Sequence, residues 1–301
     1  MVESEFQKNR LRIVVVGGGA RSAQAFRRYV SNPGKFDVTV LVRKPVESLP
    51  GERVVVVSDY FSPPDGVLRD ADTVVNFVGV TTTANEAHLR SLNVEGPVRL
   101  ARYARAHGVK HFIQLSSLHI YGDAELIDGA TPEAPLSPYA RSKQTGDRVL
   151  SCEAADGFTV TNLRMPMHYG YGAGEKLRLL ATFITRLGWF PVRKERVERS
   201  VVHLDNLSAA IVFLVEKKLG GIQFAADPEP FSVETLAEVA VAKAGQTIRL
   251  VRLPEFLFLP LRIFAKSIYR RLYRNNVICG DALLEVTYPV KLKEGLKDVL
   301  P

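Results

Sequence analysis

LRIVVVGGGARSAQAFRRYV, residues 11 to 30, joins an apolar run to three glycines and then to a stretch with helical spacing. Such a sequence reads as strand, tight turn and helix. A glycine turn that opens a helix suits a phosphate, because backbone N–H groups point outward there and the helix dipole favours negative charge. Gly17 and Gly19 match the first two positions of G-x-G-x-x-G, while Ser22 stands at the third; the related G-x-x-G-x-x-G register meets Ala20 and Ala23. The alanines are expected to weaken approach of a pyrophosphate, although alanine is tolerated at the last position of the fingerprint. On its own the stretch also fits a glycine turn with no ligand.

Outward from this segment, apolar runs and helix-like stretches keep alternating. FDVTVLV (36–42), RVVVVS (53–58), TVVNFVGV (73–80), HFIQLSS (111–117) and FTVTNLRM (158–165) read as buried strands, with helix candidates near 85–107 and 138–155. Alternation of this kind predicts an α/β, Rossmann-type doubly wound parallel sheet. In such a sheet ligands sit at the carboxyl ends of the strands. The second run ends at Val42, Arg43 and Lys44, where an NAD-binding chain usually offers a carboxylate to the ribose 2′-OH. Cations there favour a 2′-phosphate, hence NADP over NAD, or else merely solvate a strand end. Arg21 in the glycine turn supplies a second cation for the same phosphate.

Composition narrows the classes. At 301 residues, 46% hydrophobic and 24% charged, the chain is long enough for a full core and reads as soluble and globular. Cys152 and Cys279 are far apart and lack metal-ligand spacing, which points away from a disulfide framework or a metal site and towards a reducing cytoplasm. No apolar run reaches the roughly 18 residues of a spanning helix, and MVESEFQKNR lacks the apolar core of a signal peptide. The net charge of +8 suggests anionic partners: nucleotide phosphates, acidic lipid heads or nucleic acid. Nucleic acid fits least, since the cations do not follow an aromatic single-strand platform.

Further along lie Ser58-Asp59, Gly79, Asn93-Val94-Glu95-Gly96, LSSLHIYGD (115–123) and SPYARSK (137–143), in which Tyr139 stands four residues before Lys143. In this order they resemble an extended short-chain dehydrogenase/reductase of the NAD-dependent epimerase/dehydratase branch, from about residue 11 to 245. The resemblance implies a dinucleotide-binding domain over 11–165 and a mainly substrate-binding lobe over 166–301. A segment near 199–225 would return to the first domain, and residues 1–10 would form a flexible start. It implies cofactor contacts from Gly17, Gly19, Arg21, Ser22, Arg43, Lys44, Asp59, Gly79, Tyr139 and Lys143, with Asp59 at the adenine and Lys143 on the nicotinamide ribose. Ser117, Tyr139 and Lys143 would be catalytic. Substrate contacts would come from Thr81, Ser117, His119, Met167, Lys176 and Arg199, and two copies would pair through helices that include the Tyr139 helix.

The chemistry accounts for the three catalytic types. Hydride transfer at a carbinol carbon requires a proton to move on or off the oxygen. A phenol, with an ordinary pKa of about 10, needs a nearby cation to do this, and Lys143 lies one helical turn on. Ser117 would fix the substrate oxygen by a hydrogen bond, or else be a hydroxyl bonded to backbone at a strand end. Ser116 reads as a structural neighbour.

In the second half, LRMPMHYGYGAGEK (163–176) resembles the loop toward the substrate nucleotide, with Met167 where sugar-nucleotide members commonly place an asparagine. Arg199, in RSVVHLDNLSAAI (199–211), matches an arginine that grips the substrate diphosphate in such members, a task suited to a guanidinium fork. Asp205 reads as an N-cap and His203 as a structural histidine beside it. FAADPEPFSVETLAEVAVAKAG (224–245) reads as strand, turn and amphipathic helix.

Ser117-Leu118-His119 replaces the Thr-Asp-Glu run of the branch's dehydratases. Reduction or oxidation of one carbonyl and 4-epimerisation then remain; the RSVVHLDNL stretch and the compact C-terminal part resemble 4-ketoreductases and epimerases of bacterial surface-polysaccharide nucleotide sugars, and with the NADP-like strand end the preferred reading is reduction of a 4-keto nucleotide sugar. A nucleotide-sugar 4-epimerase, a reductase of a lipid or other non-nucleotide ketone, and a non-catalytic NADP-binding sensor or assembly protein are the alternatives. One segment stands apart. VRLPEFLFLPLRIFAKSIYRRLYR (251–274) carries six Lys or Arg against one Glu, and Leu261, Phe264, Ile268 and Leu272 recur at helical spacing. It reads either as an interfacial helix for an anionic membrane or as a lobe helix over the substrate site.

Overall fold

A computed structural model of the chain describes residues 10–31, 35–81, 85–245, 247–282 and 285–300. The expected flexible start therefore falls, apart from Arg10, outside the described residues. The chain divides into two compact units, the first running up to Gly122 and including Glu133–Met165 and Ser208–Phe224, the second made of Asp123–Pro132, Pro166–Leu207 and the residues from Ala225 on.

The first unit is built on a parallel sheet of β1 (Leu11–Val16), β2 (Phe36–Val42), β3 (Glu52–Val56), β4 (Thr73–Asn76), β5 (His111–Leu115), β7 (Thr159–Arg164) and β11 (Gly221–Phe224), in the spatial order β11-β7-β5-β4-β1-β2-β3. The order reverses between β1 and β4, the switch point at which ligands sit in open α/β sheets. Register brings the strand ends level: Val16 lies beside both Leu41 and Asn76, and Val42 beside Val56. Several strands stop before the apolar runs do, because side chains capture the next amides. Asn76 Oδ1 accepts from Val78 N at 3.0 Å after β4, and Ser117 Oγ accepts from His119 N at 3.3 Å after β5.

Helices α1 (Arg21–Val30), α2 (Glu86–Arg90), α3 (Gly96–Ala106) and α4 (Pro138–Ser151), with the part of α6 (Leu204–Lys217) from Ser208 on, complete this unit. A π-helical turn over Ser91–Glu95 joins α2 to α3 and buries Asn93. Val14, Leu41, Val74, Leu100 and Phe112 centre the core.

The second unit contains short parallel pairs: β6 (Leu126–Ile127) with β13 (Val277–Ile278), β8 (Met167–Tyr169) with β10 (Val201–His203), and β9 (Trp189–Arg193) with β12 (Arg249–Leu253). Around them run α5 (Glu175–Leu187), the start of α6, α7 (Val233–Ala244), α8 (Leu259–Phe264), α9 (Lys266–Tyr273) and α10 (Leu292–Leu296). The core joins Tyr169, Ile184, Val201, Leu236 and Leu296. The expected cap roles at α6 are exchanged. Asp205 lies inside the first turn and accepts from Tyr171 Oη at 2.7 Å, whereas buried His203 takes the Asp205 amide on Nδ1 at 3.2 Å. No helix among the described residues is long and apolar enough to cross a membrane.

Candidate active site

In the glycine turn, Gly17 takes φ of +84°, the left-handed region, and a Cβ there would lie 2.8 Å from Val78 Cγ2. A Cβ on Gly18 would lie 2.1 Å from Val40 Cγ1, so Gly18, which falls at no glycine position of the fingerprint, lets the turn pack on β2. Around Gly19 nothing stands within 4 Å of that position. Ala20 is the N-cap of α1 and offers no side-chain cap, and buried Ala23 faces the interior as the third small residue of the fingerprint must. The amides of the first turn are thus not satisfied by the N-cap side chain, and the residues fit a pyrophosphate. Arg21 is exposed and Ser22 half-buried at this edge.

Arg27 fixes the turn from below. Its guanidinium donates to Gly18 O at 3.3 Å and to Glu47 O at 2.6 Å, and pairs with Glu52 on β3, both side chains being under 5% exposed. It ties the glycine turn to the loop that follows Arg43 and Lys44. Those two are exposed, with Arg43 lying 5.5 Å over the Tyr60 ring. Asp59 accepts from Phe61 N at 2.9 Å and pairs with Arg99, so its carboxylate is held in place.

At the end of β4, Asn93 clasps Val80 through its amide, accepting from Val80 N and donating to Val80 O, each at 3.0 Å. A Cβ on Gly79 would lie 3.2 Å from Asn93 Oδ1 and 3.4 Å from Lys143 Nζ, so glycine there lets the backbone approach the lysine. Thr81 follows, exposed.

Ser137 and Pro138 start α4 as a cap and first-turn pair, Ser137 Oγ accepting from Ala140 N at 3.1 Å. The four-residue spacing then sets Tyr139 and Lys143 on one face. Ser117 is close enough to the Tyr139 phenol to affect its titration, and the exposed His119 ring stands edge-on to Tyr139 at 5.9 Å. The phenol itself differs from expectation. Burial raises its pKa above the ordinary value, Ser117 opposing and Asp147 adding to the rise. Lys143 instead donates to Leu115 O at 2.7 Å, and burial brings its own pKa down to about 8 against the attraction of Asp147.

Asp147 belongs to a buried network invisible at the level of motifs. It accepts from Ser116 Oγ at 2.8 Å and from Arg164 Nε at 2.9 Å; Arg164 also donates to Tyr121 Oη at 2.6 Å and pairs with Glu133. Ser116 is thus the structural neighbour that the sequence suggests.

In the second unit, Met167 is exposed on β8, and Lys176 stands exposed in the first turn of α5. Arg199 Nη1 donates to the carbonyls of Arg270 at 2.8 Å and Arg274 at 3.1 Å, at the end of α9. Burial, then the charge of Arg271, pushes the Arg199 pKa down to about 10, and the same two causes lower Lys176. Arg271, which no motif flagged, is the cation both of them feel. The described residues of the first unit therefore gather Ser117, His119, Tyr139, Lys143 and Gly79, and those of the second gather Lys176 and Arg199 with Arg271. No group of three His, Cys, Asp or Glu side chains among the described residues could hold a metal.

The chain is 29% identical over 175 residues to the uncharacterized protein y4nL of Sinorhizobium fredii, covering 55% of this chain and 49% of that protein. It is 26% identical over 230 residues to the UDP-glucose 4-epimerase of Vibrio cholerae, covering 69% and 67%. Apart from the Vibrio protein, the chain spans about half the length, or less, of the curated relatives it matches. The fold is that of the UDP-glucuronic acid 4-epimerase of Bacillus cereus in complex with NAD, with a TM-score of 0.73, 14% identity and coverage of 96% and 97%. Residues 13–225 match the NAD dependent epimerase/dehydratase family, and with the Rossmann sheet around a Ser117, Tyr139 and Lys143 cluster the chain belongs to that family.

Proposed function

We propose that the protein is an NAD(P)-dependent reductase of a 4-keto nucleotide sugar, serving surface-polysaccharide synthesis. The observation that carries this reading is the placement of the Tyr139 phenol beside Ser117 and one helical turn before Lys143; burial raises the phenol's pKa further above its ordinary value, so it holds its proton at neutral pH. A protonated phenol suits reduction, in which the substrate oxygen must gain a proton. Ser117 would hold that oxygen and Tyr139 would give it the proton. The ammonium of Lys143, one turn away, would stabilise the phenolate left behind. The nicotinamide, when bound, supplies the hydride. Gly17, Gly19 and the start of α1 would hold the pyrophosphate, and Arg21, Arg43 and Lys44 favour NADP through its 2′-phosphate. Lys176 and Arg199 each feel the charge of Arg271, an arrangement that an anionic group such as a diphosphate relieves.

Titration with NADPH and NADH, followed by nicotinamide fluorescence in wild type and Arg43→Ala, tests the cofactor. Selective loss of NADPH affinity in the variant supports the reading, and binding of neither cofactor by wild type overturns it. Incubation with 4-keto nucleotide sugars then tests the reaction. Oxidation of NADPH with one alcohol formed is the expected result. The similarity to the Vibrio UDP-glucose 4-epimerase favours a second reading, 4-epimerisation, which would interconvert UDP-glucose and UDP-galactose with no net cofactor oxidation.

A further inference from the structure

Within the segment 251–274, the stretch from Leu261 onward does not form one amphipathic helix. A 3-10 turn (Glu255–Phe258) leads into α8, and Ala265, at φ −131° and ψ 48°, breaks the chain before α9. Its apolar residues divide into two sets. Phe258, Tyr269 and Tyr273 are buried in the core of the second unit, with Leu261 and Leu272 packed against them. Phe256, Leu257, Leu259, Ile263, Phe264 and Ile268 are exposed, Phe264 to 88%. The buried set already anchors the segment, so the exposed set adds nothing to the unit's own core. Six large apolar side chains exposed within thirteen residues are far more than a surface needs.

The charges beside this face are unequal. Glu255, the segment's one acid, accepts from Tyr269 Oη at 2.5 Å and pairs with Arg193 at 2.7 Å. Arg270 and Arg274 are paired with Asp123, and Arg274 with Glu125 as well. Arg262 and Lys266, exposed between the apolar residues, have no carboxylate partner among the described residues. Both also line a cleft of about 600 Å³ with Ile263 and Arg193, whose other walls carry Asp123, Glu125 and Glu255.

We infer that this face is a docking surface for an anionic lipid bilayer, with Phe256, Ile263, Phe264 and Ile268 entering the interface and Arg262 and Lys266 meeting the headgroups. An apolar face interleaved with unpaired cations complements a negatively charged, apolar-cored surface. A second copy of the same face would bring Arg262 and Lys266 against like charges, which disfavours self-association there.

Co-sedimentation of the full chain with vesicles of phosphatidylcholine alone, or of phosphatidylcholine with phosphatidylglycerol, tests the inference. Retention on the anionic vesicles is expected to be on the order of tenfold greater and to fall in high salt. Arg262→Glu with Lys266→Glu, and separately Phe264→Ser with Ile268→Ser, should each abolish it, with unchanged circular dichroism showing that these exposed substitutions leave the fold intact. Equal retention on both vesicle types, or failure to bind either, overturns the proposal. So does release by inorganic phosphate at constant ionic strength, which would make the cleft a free-anion site. A dimer in the absence of vesicles that either double variant dissociates would show that a second copy covers the face, and would overturn it too.

Discussion

Replacing Lys143 with methionine should make the cofactor-free protein more stable while removing a group the proposed reaction needs. Lys143 is 7% exposed, and burial brings its pKa from 10.5 down to about 8. The difference, 10.5 − 8, at about 1.4 kcal/mol per unit, puts the cost of keeping this ammonium charged in the fold at roughly 3 kcal/mol. Methionine is close in size and carries no such cost. Against the gain stands one hydrogen bond to Leu115 O, worth about 1 kcal/mol. That carbonyl also accepts from Gln114 Nε2 at 2.8 Å and would keep a partner. Asp147 likewise keeps Arg164 and Ser116. The net expectation is a variant about 2 kcal/mol more stable than wild type near neutral pH. Because the folded pKa lies below the unfolded one, the wild-type penalty is complete below about pH 8. It disappears as pH rises toward 10.5, since the unfolded chain then holds the proton that the folded one has lost. The advantage of Lys143→Met should shrink by about 1.4 kcal/mol per pH unit above about pH 8. Urea unfolding of both proteins at about pH 7, 8 and 9 measures it. A variant less stable than wild type at neutral pH, or a difference constant up to about pH 9, would refute the reasoning.

Tyr139→Phe should lower turnover by about 10²–10⁴-fold, with NADPH affinity little changed, because only the proposed proton donor is lost; parallel loss of binding would mean the ring shapes the cofactor site instead. Arg27→Met leaves Glu52 buried without its cation and is expected to cost about 3–5 kcal/mol in urea unfolding, while Arg27→Met with Glu52→Gln recovers part of it. Gly18→Ala should destabilise by about 1–3 kcal/mol through contact with Val40, and adding Val40→Ala should rescue it; failure of the rescue would place the strain elsewhere.

The Tyr139 and Lys143 pair, the glycine turn and the strand runs were legible because each depends on neighbours within a turn or a few residues. A four-residue spacing puts two side chains on one helix face whatever surrounds them, and an apolar run bounded by glycine reads as a buried strand wherever it lies. The ends of the strands were less legible, since Asn76 and Ser117 end them through side-chain bonds that compete with the ladder. The reversal of His203 and Asp205 has the same origin: which of two adjacent polar residues caps a helix depends on where the backbone first turns helical.

By itself, then, the sequence determined the alternation that makes a doubly wound sheet, the glycine turn and the shared helix face of Tyr139 and Lys143, all of them local consequences of spacing. The tertiary structure alone decided what those groups experience. Burial raised the Tyr139 phenol and lowered Lys143, effects that depend on how much protein excludes water around them. Arg27 met Glu52 across 25 residues, and Arg164 met Asp147 and Glu133 across 17 and 31, pairings that only strand order can bring about. The same is true of residues 251–274, where Ala265 divides the helical spacing between α8 and α9, and packing sets Leu261 and Leu272 against the core while Phe264 and Ile268 stand exposed.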